Sequence, residues 1–216
     1  MRMRAPGARQ REHPMRRRLE IGLVLLAVAL HEFLTFGLGV HGLDIAPTGA
    51  VTIGYGCWRG RDAAVRAEWG VGALGLRACA RDAALLTACG AGICAAIGAA
   101  RGSLAADWHL LVLCLLYPLW GIVQQFLVLS LLAANLSALG LPRGVVIAAA
   151  TAGFTIVHAP NWPLAAASAV LGSACTWLFL RHRNLWPLGV AHGVLAALFY
   201  RWVLGRDSFT ELWQAR

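Results

Sequence analysis

Two adjacent glutamines, Gln124 and Gln125, interrupt a long apolar run from Trp108 to Ala134. Polar side chains at that depth in a hydrocarbon environment are costly and face a protein interior where they find partners. Two histidines in later apolar segments, His158 and His192, are of the right type to meet them. An imidazole accepts and returns a proton near neutral pH, whereas a carboxamide donates and accepts hydrogen bonds without titrating. Such a set could move a proton, orient a water and stabilise an oxyanion, the chemistry of hydrolysis. It reads as an intramembrane catalytic site whose acidic members have become amides. His31 and Glu32 form a third polar spot in the first apolar run, where Glu32 suits either a general base or a structural acid. His158, His192 and Glu32 also make a His-His-carboxylate set that zinc would accept, although no motif points to a metal or other cofactor. The plainer alternative is that the glutamines and histidines only bond neighbouring helices together, each bond worth about 1 kcal/mol. Adjacent residues point about 100° apart on a helix, so both glutamines meet polar partners only if that helix is well buried.

The elements that must position these residues are apolar runs long enough to cross a bilayer, which takes about 20 residues. They fall at roughly 19–40, 83–100, 108–134, 144–158, 162–180 and 185–204, with 68–80 readable as an interfacial helix or a weak seventh span. Phe154 and His158 are four apart and share one helical face. Pro160 and Pro163 flank Asn161 where one span ends and the next begins, and Pro187 follows Asn184 at the start of the last, placements proline tolerates. Pro118 lies inside the glutamine run and predicts a kink there. The tryptophans at 108, 120, 162, 186 and 202 stand near span ends, as interface anchors do.

Composition fixes the class. Of 216 residues, 59% are hydrophobic and 13% charged, and the mean hydropathy is +0.64. These values exclude an ordinary soluble domain and imply an all-α polytopic transmembrane bundle of about six to seven spans. Every basic residue outside histidine is arginine, and the net charge is +9. Together with the wealth of Ala and Gly, this suggests a GC-rich bacterial genome and hence a bacterial plasma membrane. Arg2, Arg4, Arg9, Arg11, Arg16, Arg17 and Arg18 precede the first apolar run, which is too long for a signal peptide. A basic arm could bind nucleic acid, but beside a membrane segment it marks the cytoplasmic side, so the expected partners are the bilayer and a membrane-associated peptide, not nucleic acid. The layout is then a basic cytoplasmic tail over 1–18, a membrane domain over 19–204 and a polar tail over 205–216. Six spans would leave Arg181 and Arg183 on the outer side, against the charge rule, whereas a seventh near 68–80 would relieve the conflict. The six cysteines form no CxxC pair and read as small core fillers.

The series Tyr117-Pro118-Leu119-Trp120-Gly121-Ile122-Val123-Gln124-Gln125, then Phe154-x-x-x-His158, then Asn184-Leu185-Trp186-Pro187 leading to His192, resembles the CPBP intramembrane proteases. These are also called the ABI or CAAX amino-terminal protease family and include the type II CAAX prenyl endopeptidases. The likeness covers about half the chain, from Trp108 to Leu204. It implies endopeptidase activity on membrane-associated or prenylated peptides, with no cofactor. The family carries Glu-Glu-x-x-x-Arg, then Phe-x-x-x-His, then a His followed four residues later by Asn or Asp. Its proposed mechanism has a glutamate and the first histidine activate water while the second histidine and the Asn stabilise the oxyanion. Phe154, His158 and His192 match that pattern. The glutamate positions hold Gln124 and Gln125, the arginine position Leu129 and the terminal position Ala196. The resemblance therefore implies either a rearranged endopeptidase, with His158 or Glu32 as base and Gln124, Gln125, His192 and Asn161 orienting water and carbonyl, or a pseudoprotease that binds membrane peptides.

Overall fold

The computed structural model describes residues 14–39 and 45–214. The described residues form helices α1 (Pro14–Gly37), α2 (Ile45–Arg59), α3 (Ala63–Glu68), α4 (Leu76–Arg101), α5 (Trp108–Ala138), α6 (Arg143–Ile156), α7 (Trp162–His182), α8 (186–203) and α9 (Ser208–Gln214), with no strand among them. α1, α4, α5 and α7 are long and apolar enough to cross a membrane, and α6 is a shorter apolar helix. Large apolar side chains stand out to the surroundings along them, Leu26 on α1, Leu85 on α4, Leu115 and Leu119 on α5 and Val170 on α7. A belt of that size needs an apolar solvent, and the chain is an integral membrane protein.

Antiparallel packing runs through the bundle. α8 lies against α5 with Gly189 beside Ile122 and Gly193 beside Pro118, and α6 lies against α7 with Thr151 bonded to Ser173 and Phe154 seated on Gly172. α4 runs alongside α8, Gly90 meeting Leu195 and Gly98 meeting Trp202. α5 continues through Pro118, and Gly193 sits against its nitrogen, where there is no N–H to leave unbonded. Over Phe126–Ala133 the winding of α5 loosens to a π-helix, which rotates every later side chain relative to regular α geometry.

The stretch over 68–80 is not a helix of its own. α3 ends at Glu68, Trp69 plugs into the core against Phe126, and α4 begins at Leu76. α2 packs parallel to α5, its Gly49 on Trp120 and its Gly56 on Phe126. Arg183 lies at the same end of the bundle as Arg17, both within electrostatic reach of Glu68.

Arg16 and Arg17 lie on α1, whose described residues start at Pro14. They bond Glu68 at 2.9 and 3.0 Å. Arg2, Arg4, Arg9 and Arg11 lie outside the described residues, as does Val40 at the end of the first expected span. At the opposite end the polar C-terminal stretch folds into α9. Asp207 accepts from Thr210 and pairs with His109 at 2.6 Å, and Arg201 bonds Asp107, the N-cap of α5. Partial burial alone would raise the Asp207 pKa, but the bonds from His109 and Thr210 outweigh it and bring the carboxyl down to about 2. Of the cysteines, Cys79, Cys94 and Cys175 fill the core, while Cys57 and Cys89 are exposed, and all six are unpaired. Trp108, Trp162 and Trp186 are exposed, as anchors would be, whereas Trp120 packs on Gly49.

The α5–α8 seam sets the precision of the site. A Cβ on Gly189 would come within 2.7 Å of the Ile122 Cα, and one on Gly121 within 2.8 Å of the Gly193 nitrogen. These are backbone contacts that no side-chain rotation relieves. Gly189→Ala is expected to cost about 1–3 kcal/mol through overpacking. Thermal unfolding of the purified protein in detergent measures this, with Gly92→Ala on α4, where a methyl meets nothing within 4 Å, as the neutral control.

Candidate active site

The glycine seam brings Gln125 of α5 against His192 of α8. Gln125 Nε2 lies 3.2 Å from His192 Nδ1, both side chains being buried. In this amide orientation Gln125 Nε2 donates, so His192 Nδ1 accepts and a neutral ring carries its proton on Nε2, while Gln125 Oε1 is buried without a hydrogen-bond partner. His158 is placed by the end of α6, where its Nδ1 lies 2.7 Å from the Phe154 carbonyl oxygen. A carbonyl can only accept, so Nδ1 holds the proton and Nε2 keeps a free lone pair. The two histidines are thereby held in opposite tautomers.

Phe154 keeps them apart and in register. Its ring meets the His158 ring edge-on with centroids 4.9 Å apart, and the His192 ring with centroids 5.1 Å apart. The phenyl group is itself fixed by Gly172, where a Cβ would approach within 2.9 Å of Phe154 Cδ1. Such aromatic contacts favour perpendicular geometry and are worth about 0.5–1.5 kcal/mol each. The residue is a spacer between the imidazoles, buried to 2% exposure.

The other expected site residues take different places. Gln124 is half-buried and makes no side-chain hydrogen bond among the described residues, as the 100° step from Gln125 requires. Glu32 forms no ion pair or hydrogen bond with His158, and its Oε1 is buried without a hydrogen-bond partner. Its neighbour His31 is the residue of α1 whose charge is felt at His158. The Asn161 side chain caps α7, accepting from the Leu164 N–H at 3.1 Å, which engages its oxygen in a helix terminus. Among the described residues no group of three or more His, Cys, Asp or Glu is arranged to hold a metal, so the zinc set of His158, His192 and Glu32 does not assemble. Leu129 lies in the core and Ala196 is half-buried on α8. Asn184 opens α8 by accepting from the Trp186 N–H, and its amide donates to the Gly72 and Leu74 carbonyls.

A buried acid outside the expected set is Glu20 on α1. It is 1% exposed and accepts from the Tyr55 hydroxyl at 2.5 Å and from Asn135 Nδ2 at 2.6 Å. Arg17 also donates to Asn135 Oδ1. Glu20 stands four residues after Arg16, a spacing visible in the sequence and suited to an ion pair on one helix face, seen here at 3.7 Å. This network ties α1 and α2 to the end of α5 beyond its π-helical segment.

No curated protein and no solved structure matches the chain significantly. Residues 105–198, which run from just before α5 into α8 and include Gln125, Phe154, His158 and His192, match the family model described as type II CAAX prenyl endopeptidase Rce1-like, so this part of the chain is similar to that family of membrane proteases.

Proposed function

We propose that the chain is a membrane-embedded endopeptidase acting on membrane-associated or prenylated peptides, with a rearranged site in which histidine replaces the carboxylate base. The opposite tautomers of His158 and His192 carry this reading. His158 Nε2 takes a proton from a water as the water oxygen attacks the scissile carbonyl. The Nε2–H of His192 donates to the oxyanion that forms. His158 then returns its proton to the leaving amine nitrogen as the C–N bond breaks, which regenerates the starting ring. Gln125 serves by fixing the His192 tautomer, a task a carboxamide performs without titrating. The location that goes with this reading is a bacterial plasma membrane with the N-terminus cytoplasmic, supported by the arginines gathered at the α1 end.

Gln125→Glu tests the assignment. A carboxylate only accepts, so His192 Nδ1 would have to donate to it and a neutral ring would lose the proton on Nε2. Loss of one oxyanion donor lowers turnover by about 10²-fold. Cleavage of a prenylated reporter peptide in proteoliposomes, wild type against variant, reads this directly. A variant as active as wild type sinks the tautomer assignment. A wild type that binds the reporter but never cuts it favours a pseudoprotease. Restoring the family pattern with Gln124→Glu, Gln125→Glu, Leu129→Arg and Ala196→Asn is not expected to yield a strong enzyme, because Leu129 is fully buried in the core and the longer arginine would overpack it.

A further inference from the structure

The flank of the bundle between α6 and α7 carries a trough of about 700 Å³. A second hollow of about 670 Å³ shares Ile147 and Ser173 with it and continues to Trp177. The wall is almost wholly apolar, made of small residues such as Gly144, Ala148 and Ala152. Its hydroxyls Thr151 and Ser173 bond one another at 3.1 Å, so the floor presents no charge. α6 is about 21 Å long by its residue count, so the trough runs over most of an apolar leaflet.

Two arginines flank Trp177, which lines the second hollow. The guanidinium carbons of Arg143 and Arg181 lie 5.8 and 5.4 Å from the Trp177 ring centroid, and Arg143 Nη2 donates to the Trp177 carbonyl oxygen at 3.0 Å. The acid near Arg181 is Asp82, 4.0 Å away, and it is already bonded to His182 at 2.8 Å and to Arg81 at 3.0 Å. Positive charge is therefore in surplus at this end, which is also the end of Arg17 and Arg183. The other end of the trough reaches Thr155 and Ala159, on the turn that carries His158.

An apolar trough with two arginines and a tryptophan at headgroup depth fits an amphiphile with an anionic head. We propose that the α6–α7 trough holds one anionic phospholipid, an acyl chain lying along Ala148 and Ala152 and the phosphate at Arg143 and Arg181. The volume lies in the range of about 300–1,000 Å³ typical of small-ligand sites, and basic pockets between membrane helices bind lipid headgroups. A bound chain would lie beside the His158 turn, on the side from which a membrane substrate would approach. This site is independent of whether the histidines turn over.

The test is native mass spectrometry of the full chain released from detergent, with phosphatidylglycerol, phosphatidylcholine or inorganic phosphate added. Wild type should retain one phosphatidylglycerol in preference to phosphatidylcholine by about tenfold or more, because both carry a phosphate but the choline ammonium cancels its charge beside the two arginines. Arg143→Gln with Arg181→Gln should abolish that preference. Ala148→Leu with Ala152→Leu should block lipid retention altogether, circular dichroism confirming an unchanged helix content. Equal retention of both lipids by wild type, or an undiminished lipid in the filled trough, overturns the proposal. So does displacement of the lipid by inorganic phosphate, which would mark a site for a soluble anion. A filled trough that instead changes oligomeric state would show it to be the seat of a second copy. Because none of these readouts is cleavage, their failure is separable from failure of the protease reading.

Discussion

Replacing His158 by alanine is expected to lower cleavage of a prenylated reporter by about 10²–10⁴-fold, the usual contribution of a general base. Of the two imidazoles, only His158 has its Nδ1 on a backbone carbonyl and its Nε2 lone pair free to accept. The same substitution should disturb the fold little. The lost bond spans one helical turn and is worth about 1 kcal/mol, and Phe154 stays wedged on Gly172. Activity and thermal unfolding are therefore expected to separate, the first collapsing while the second moves by a few degrees. Equal processing by wild type and His158→Ala would make His158 structural and end the base assignment. Glu32→Gln is the informative companion. With no bond between Glu32 and His158, it should leave turnover within about threefold of wild type, a change of under 1 kcal/mol in barrier. A loss as large as that of His158→Ala would return the base to the α1 carboxylate.

Stability should respond most strongly at Glu20. Removing this carboxylate by Glu20→Ala leaves the Tyr55 hydroxyl without its acceptor, the Asn135 amide with only the Leu131 carbonyl, and Arg16 without one of its acidic partners. Breaking a buried, hydrogen-bonded ionic network by deleting one partner costs about 3–5 kcal/mol. For a chain of this size that lowers the melting temperature by on the order of 10 °C. Tyr55→Phe should cost less, because it deletes one donor and leaves the carboxylate bonded to Asn135. The same melts discriminate between the two acids of α1. Glu32→Ala removes an oxygen that has no hydrogen-bond partner, so it is expected to be neutral or mildly stabilising. A melt in which Glu20→Ala equals wild type would show that α1 is held by apolar packing alone.

Much was legible in the residues themselves. Composition and apolar runs dictate an all-helical membrane bundle, because a bilayer leaves the backbone no other way to bond itself over those lengths. Those runs locate α5 and α7 to within four residues, while α1 and α4 start five and seven residues before the expected runs, and the spacing of Phe154 and His158 places both on one face. The improbability of lone polar groups in hydrocarbon gathers Gln124, Gln125, His158 and His192 into one expected set, and the structure pairs Gln125 with His192. What the linear pattern misjudged follows from contacts it cannot contain. α2 joins the bundle because Gly49 and Gly56 accept aromatic rings of α5, a surface hydropathy does not measure. Glu32 stands out in sequence by its apolar neighbours, yet burial among bonding partners belongs to Glu20, whose partners are 35 and 115 residues distant. Asn161 and Gln124 share the chemistry of a site residue, but the cap of α7 engages the first and the helical turn of α5 directs the second away. Above all, the proton positions on His158 and His192 are set by a carbonyl one turn back and an amide 67 residues earlier. Residue type supplies a histidine, and only the atom facing each ring nitrogen decides whether it accepts or donates.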